Sequence, residues 1–147
     1  MNKRKVMVVD DEQDIQYILT RYLERMKDVE VITALTGGQA VEKYRELLEA
    51  GETPALVVMD LNLSGANQDM EAIEQHRKGE DSKMDGVEAT RTIKDMDAAA
   101  TIWGYTAWQG SGWDKELREQ GVDKVVGRQV TFKDFAEQVA DFLQREE

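Results

Sequence analysis

Two short apolar runs that end abruptly in carboxylates constrain this chain more than any other feature. Ala55-Leu56-Val57-Val58-Met59 follows Pro54 and stops at Asp60, and Lys5-Val6-Met7-Val8-Val9 stops at Asp10-Asp11. An unbroken apolar run of this length is the pattern of a strand buried on both faces, as in the centre of a parallel sheet. The aspartates then stand at strand carboxyl ends, the edge at which open α/β sheets bind ligands.

The remaining chain supplies the helices and strands such a sheet needs. Ile15, Ile18, Leu19, Tyr22, Leu23 and Met26 recur at helical spacing and predict an amphipathic helix over 12–26, with Asp11 or Glu12 near its start. Residues 30–35 read as a strand through their β-branched side chains. Thr36-Gly37-Gly38 then leads into a helix over 39–50, buried through Ala40, Val41, Tyr44, Leu47 and Leu48 and stopped by Gly51. Val87, Ala89, Thr90 and Ile93 give the inner face of a helix over 86–95, and 100–107 is a fourth strand carrying Thr106 near its end. Ser111 caps a helix over 112–120 that Gly121 ends, 122–127 is a fifth strand, and a last helix opening at Thr131 faces inward through Phe135, Val139, Phe142 and Leu143.

Five strands alternating with five helices require right-handed crossovers and so a parallel sheet. The expected architecture is a flavodoxin-like three-layer α/β sandwich with strand order 2-1-3-4-5. With 147 residues and 41% hydrophobic composition, one domain over 1–147 is expected. It is interrupted at about 64–84, between the third strand and the third helix, by a stretch without apolar period apart from a short helical pattern over 70–76.

Composition narrows the chemistry. A formal charge of -11 repels phosphate backbones and anionic lipid, so no direct nucleic-acid or membrane binding is expected. The absence of cysteine excludes disulfides, thiol catalysis and Cys-type zinc sites. The basic start Met1-Asn2-Lys3-Arg4-Lys5 is followed by only four apolar residues, so no signal peptide or membrane span is expected, and the compartment is expected to be the cytoplasm. If the first and third strands are neighbours, Asp10, Asp11 and Asp60 converge, and three carboxylates together call for a cation. Hard oxygen donors suit Mg2+ or Mn2+. The competing reading makes Asp10 and Asp11 helix caps and Asp60 a loop cap.

Val8-Val9-Asp10-Asp11-Glu12, Val57-Val58-Met59-Asp60-Leu61-Asn62-Leu63, Asp85-Gly86-Val87-Glu88, Tyr105-Thr106-Ala107 and Gly121-Val122-Asp123, in that order, resemble the successive motifs of response-regulator receiver domains of two-component signalling. The resemblance covers nearly the whole chain. It implies a phosphoacceptor switch rather than an enzyme: Asp60 takes a phosphoryl group from a sensor histidine kinase or phosphotransfer protein. Asp10, Asp11 and Asp60 hold Mg2+ with the backbone carbonyl of Asn62, and Thr106 contacts the phosphoryl group. Such a receiver, without an output domain in this chain, would signal to a downstream protein through a face that the phosphorylation reshapes.

The chain departs from the family pattern in four places. Arg128-Gln129 stands where the family has Lys-Pro, so the phosphoryl-pairing cation is Arg128, with Lys124 a competing candidate. Ser64 replaces a proline four residues after Asp60, and Val125 replaces the aromatic partner of the hydroxyl switch. The separation from Asp60 to Asp85-Gly86 exceeds the usual one by about eighteen residues, an insert that either works beside the site or is a tolerated surface loop. His76 within it reads as a solvated loop residue. Trp103 reads as core, and Trp108 and Trp113 as either core or partner-facing.

These departures motivate a second function, a receiver-like module with a degenerate switch that binds protein constitutively. A Mg2+-dependent phosphatase of the haloacid-dehalogenase type is disfavoured by Asn62 two residues after Asp60, where a second Asp is needed. Flavin binding is disfavoured by the acidic Asp-Asp-Glu loop.

Overall fold

The computed structural model describes residues 4–26, 28–60, 86–106, 118–119, 121–127 and 130–145. Its elements in chain order are β1 (Arg4–Val9), α1 (Gln13–Glu24), β2 (Val29–Ala34), α2 (Gly37–Glu49), β3 (Leu56–Met59), α3 (Gly86–Met96), β4 (Ile102–Thr106), β5 (Lys124–Gly127) and α4 (Phe132–Arg145). The strands form one sheet in the order β2-β1-β3-β4-β5, every neighbouring pair parallel. This is the expected flavodoxin-like topology. Four helices, rather than the expected five, lie among the described residues; the helix expected over 112–120 falls outside them except for Arg118 and Glu119.

The apolar runs bury both faces because successive strand residues point to opposite sides. Val6, Val8, Leu56 and Val58 join Leu19, Leu23, Phe135, Val139 and Leu143 in one core, beneath α1 and α4. Met7, Val9, Val57 and Met59 join Ala40, Val41, Tyr44, Ala89 and Ile93 in the other, beneath α2 and α3. Trp103 is buried as expected and packs edge-on against Phe135 and Phe142.

Local chemistry sets the helix ends. Thr36 caps α2: its hydroxyl accepts from the Gln39 amide at 3.0 Å, and the Gln39 side chain accepts in return from the Leu35 amide at 2.9 Å. The helix therefore begins at Gly37, two residues before the sequence pattern suggests. Gly51 ends it with φ +74°, its amide donating to Leu48 O while Glu52 N donates to Leu47 O. Thr131 opens α4 by accepting from the Asp134 amide at 3.0 Å.

One helix is turned relative to expectation. The buried residues of α1 are Gln16, Leu19 and Leu23, and Ile18 is 40% exposed. Gln16 is drawn inward because its side-chain amide donates to Ala34 O at 2.8 Å, which rotates Ile18 to the solvent margin.

Candidate functional site

The carboxyl edge of the sheet is where the chain brings its acids together. Val9 and Met59 pair in register across β1 and β3, so Asp10 and Asp60 leave adjacent strands at the same level. Each amide prolongs the sheet by one bond: Asp60 N donates to Val9 O at 2.9 Å and Asp10 N to Ala34 O at 3.1 Å. Their flanks are closed by neighbouring strands, and the two residues are only 3% and 4% exposed. Buried carboxylates are rare unless paired or liganded, which singles out this pair within the fold.

Asp11 and Glu12 continue from Asp10 on the exposed side. Carboxylate oxygens of Asp10, Asp11 and Glu12 all lie within 4.8 Å of one another. Asp10, Asp11 and Glu12 are the residues of this cluster that could hold a divalent cation, which would offset their mutual repulsion. The donor set is all carboxylate oxygen, the chemistry of a hard divalent cation. Glu12 belongs to this cluster although the sequence argument gave it no ligand role; its place directly after the Asp pair was the available signal.

The capping residue of α1 is Glu12, and its side chain makes no capping hydrogen bond. Asp10 Oδ1 instead accepts from the Glu12 backbone amide at 2.8 Å, a contact that fixes the buried carboxylate against the start of the loop. Gln16 supports the same corner from below. Besides Ala34 O, its amide nitrogen lies 3.4 Å from the carbonyls of both Val8 and Asp10, so one buried side chain ties β1, β2 and α1 together beneath the acids. Its phase with Leu19 and Leu23 was the sequence signal for its burial.

Thr106 is the last residue of β4 and pairs in register with Gly127, the last residue of β5. The chain thus brings the Thr106 backbone to the same carboxyl edge as the acids, and Arg128 follows Gly127 directly in sequence. Lys124 sits at the opposite end of β5, paired with Trp103, and its ammonium lies 4.5 Å from the centroid of the Trp103 ring. Three residues of strand separate it from the site edge, about 10 Å at the usual rise. Asn62, Arg128, His76, Trp108, Trp113 and the 64–84 insert lie outside the described residues.

Comparison with known proteins carries the same pattern. No family model matches the chain. It is 30% identical over 139 residues to the response regulator protein VraR of Staphylococcus aureus strain Mu3, a match covering 92% of this chain and 54% of VraR. The chain therefore spans about half the length of the curated relatives it matches. Among solved structures, a two-component response regulator of the LuxR family from Aurantimonas is 26% identical, with a TM-score of 0.72 over 97% of this chain and 86% of that one. The CheX-CheY-BeF3-Mg2+ complex from Borrelia burgdorferi contains a chain of the same fold at 19% identity and a TM-score of 0.72, covering 97% of this chain and 90% of that one. With these matches covering 92% of the chain in sequence and 97% in structure, and with the five strands in the order 2-1-3-4-5, the chain belongs to the receiver domains of response regulators.

Proposed function

We propose that this receiver is a Mg2+-dependent phosphoacceptor in which Asp60 takes a phosphoryl group from phosphohistidine on a sensor kinase or phosphotransfer protein. The observation that carries the reading is the pair of buried carboxylates, Asp10 and Asp60, one residue beyond the registered pair Val9 and Met59. Asp10 and Asp11 would hold the cation, joined by Asp60 and the Asn62 carbonyl, and the all-oxygen donor cluster around Asp10 fits that ion. When bound, the ion neutralises charge on the carboxylates and on the incoming phosphoryl oxygens. Asp60 supplies the carboxylate oxygen that bonds to phosphorus as the nitrogen–phosphorus bond breaks and the imidazole leaves. Thr106 donates its hydroxyl to one phosphoryl oxygen and Arg128 pairs with another. The output is a change in a protein-binding face, made in the cytoplasm and without direct contact to nucleic acid or membrane. No helix among the described residues is long and apolar enough to cross a membrane.

Treatment with acetyl phosphate and Mg2+ tests this. Intact mass should rise by one phosphoryl group, peptide mapping should place it on Asp60, and Asp60→Asn should remain unmodified. A mass shift that persists in Asp60→Asn and maps elsewhere would overturn the assignment.

A second reading is favoured by one observation: Val125, where the family pattern has an aromatic, is buried in the core beneath α2 and α3. A chain without that aromatic partner would lose the rotamer part of the switch and bind its partner constitutively. Beryllofluoride that binds at Asp60 yet leaves backbone hydrogen exchange of β4 and β5 unchanged would support this reading over the first.

A further inference from the structure

We infer that Gln16 is a positioning residue for the divalent cation, a neutral side chain that holds the Asp10-Asp11-Glu12 segment in place before any ion is bound; this rests on the proposed function, in which Asp10 and Asp11 hold Mg2+. Gln16 lies in the first turn of α1 and is 9% exposed. Its side-chain nitrogen meets three backbone carbonyls, Ala34 O at 2.8 Å and Val8 O and Asp10 O at 3.4 Å each. All three are acceptors, so the amide turns its NH2 toward them. The main chain of the same residue adds a second hold, since Gln16 N donates to Glu12 O at 3.0 Å. Between these two points, Glu12 N donates to Asp10 Oδ1 at 2.8 Å. One residue thus anchors the acidic segment at both ends, at Asp10 O through its side chain and at Glu12 O through its amide.

Packing does not account for an amide at this position. Gln16 shares the buried stripe of α1 with Leu19 and Leu23, where an apolar side chain would serve as well, and a buried amide is tolerated only when hydrogen-bonded. What the amide adds is a restraint on the chain that carries the acids. Asp11 and Glu12 are exposed, and their carboxylate oxygens lie within 4.8 Å of each other and of Asp10. Without a cation their repulsion favours spreading the segment, and any spreading has to be reversed when the ion binds. A group that holds the backbone against this repulsion lowers the reorganisation that binding requires. A positive side chain beneath the acids would compete with the metal for their charge. A neutral amide restrains them without that competition.

Gln16→Met keeps the reach of the side chain and removes its donors. Titrated with Mg2+ by calorimetry, the variant should bind about tenfold more weakly than wild type, the loss that follows when a group supporting a metal ligand is removed. Because Gln16 carries no charge, the ratio of the two affinities should be the same at low and high ionic strength. The ratio for Asp11→Ala should instead shrink as salt screens the missing charge. Urea melts establish that Gln16→Met is folded at the temperature of the titration; a merely structural residue would shift the melt and leave the Mg2+ affinity of the folded protein unchanged. Hydrogen exchange reads the restraint directly: the Glu12 amide should be protected in metal-free wild type and exchange faster in Gln16→Met. Unchanged Mg2+ affinity in folded Gln16→Met, a loss that shrinks with salt as for Asp11→Ala, or an unprotected Glu12 amide in metal-free wild type would each overturn the inference. Should Gln16→Met fail to fold, the exchange of Glu12 in wild type decides alone. Absence of Mg2+ binding by wild type would instead overturn the cation reading, and the role of Gln16 toward the ion with it.

Discussion

Asp10 and Asp60 each extend one member of the registered pair Val9 and Met59, so two buried acidic residues leave adjacent strands at the same level of the sheet edge. With Asp11 and Glu12 beside Asp10, this edge concentrates negative charge in a chain already at -11. Such a cluster raises the free energy of the metal-free fold and lowers that of the metal-bound one.

Two opposite effects of one substitution follow. Asp11→Ala should weaken Mg2+ about tenfold or more by calorimetry at fixed ionic strength. It should also leave the metal-free protein as stable as wild type or more so in urea, because a repelling charge has gone. Equal Mg2+ affinity in wild type and variant would return Asp10 and Asp11 to a role in starting α1.

The strands, their order and the acids at their ends were readable because burial on both faces leaves an unbroken apolar run, and the end of that run marks the sheet edge. Gln16 was not readable by hydrophobicity. A polar residue went inward and Ile18 went outward because one hydrogen bond to Ala34 O set the phase of α1. The rivalry between Arg128 and Lys124 could not be decided by closeness in sequence, which is blind to strand direction. Register places Lys124 at the opening of β5, at the level of Trp103 and away from the edge where Gly127 meets Thr106. The cluster role of Glu12 depends on how the loop after β1 folds back, a property that periodicity does not carry.

Tyr44 should make the fold sensitive to alkali. Its hydroxyl donates to Asp97 Oδ2 at 2.6 Å, linking α2 to the residue after α3. Burial, then the hydrogen bond and charge of Asp97, push its ionisation well above the ordinary tyrosine value of 10.0. The folded state thus keeps a proton that the unfolded state releases from about pH 10 upward. The stabilisation is complete below that pH and is lost as pH rises, by up to about 1.4 kcal/mol per unit. Tyr44→Phe should cost about 1–2 kcal/mol at pH 7 and flatten the decline above pH 10. Urea melts at pH 7, 9 and 10.5 check both; parallel curves for the two proteins would refute the linkage.

Gly121 admits no side chain without cost. Its φ of +115° is a region L residues rarely adopt, and a Cβ there would stand 3.1 Å from Lys94 Cγ. Lys94 cannot retreat freely, since its ammonium is held by Ala100 O at 2.6 Å and by Asp123 at 3.0 Å. Gly121→Ala should therefore destabilise by more than about 1 kcal/mol, read as a lower urea midpoint at unchanged slope.

The two cations near the end of the chain should separate cleanly by function. Lys124 lies over Trp103, a ring that is 5% exposed, so its contribution is to packing. Lys124→Ala should cost about 0.5–1 kcal/mol of stability and change Trp103 emission, while acetyl phosphate labels Asp60 at the wild-type rate. Arg128 follows in sequence the residue that pairs with Thr106, and the proposed function pairs its charge with the phosphoryl group. Arg128→Ala should hold stability within about 0.5 kcal/mol yet weaken beryllofluoride about tenfold. Arg128→Lys tests the geometry beyond the charge: it should recover only part of the loss, because an ammonium offers no planar fork. Full recovery by lysine would mean that charge alone matters at this position. A drop in labelling confined to Lys124→Ala would move the phosphoryl-pairing role to the other cation.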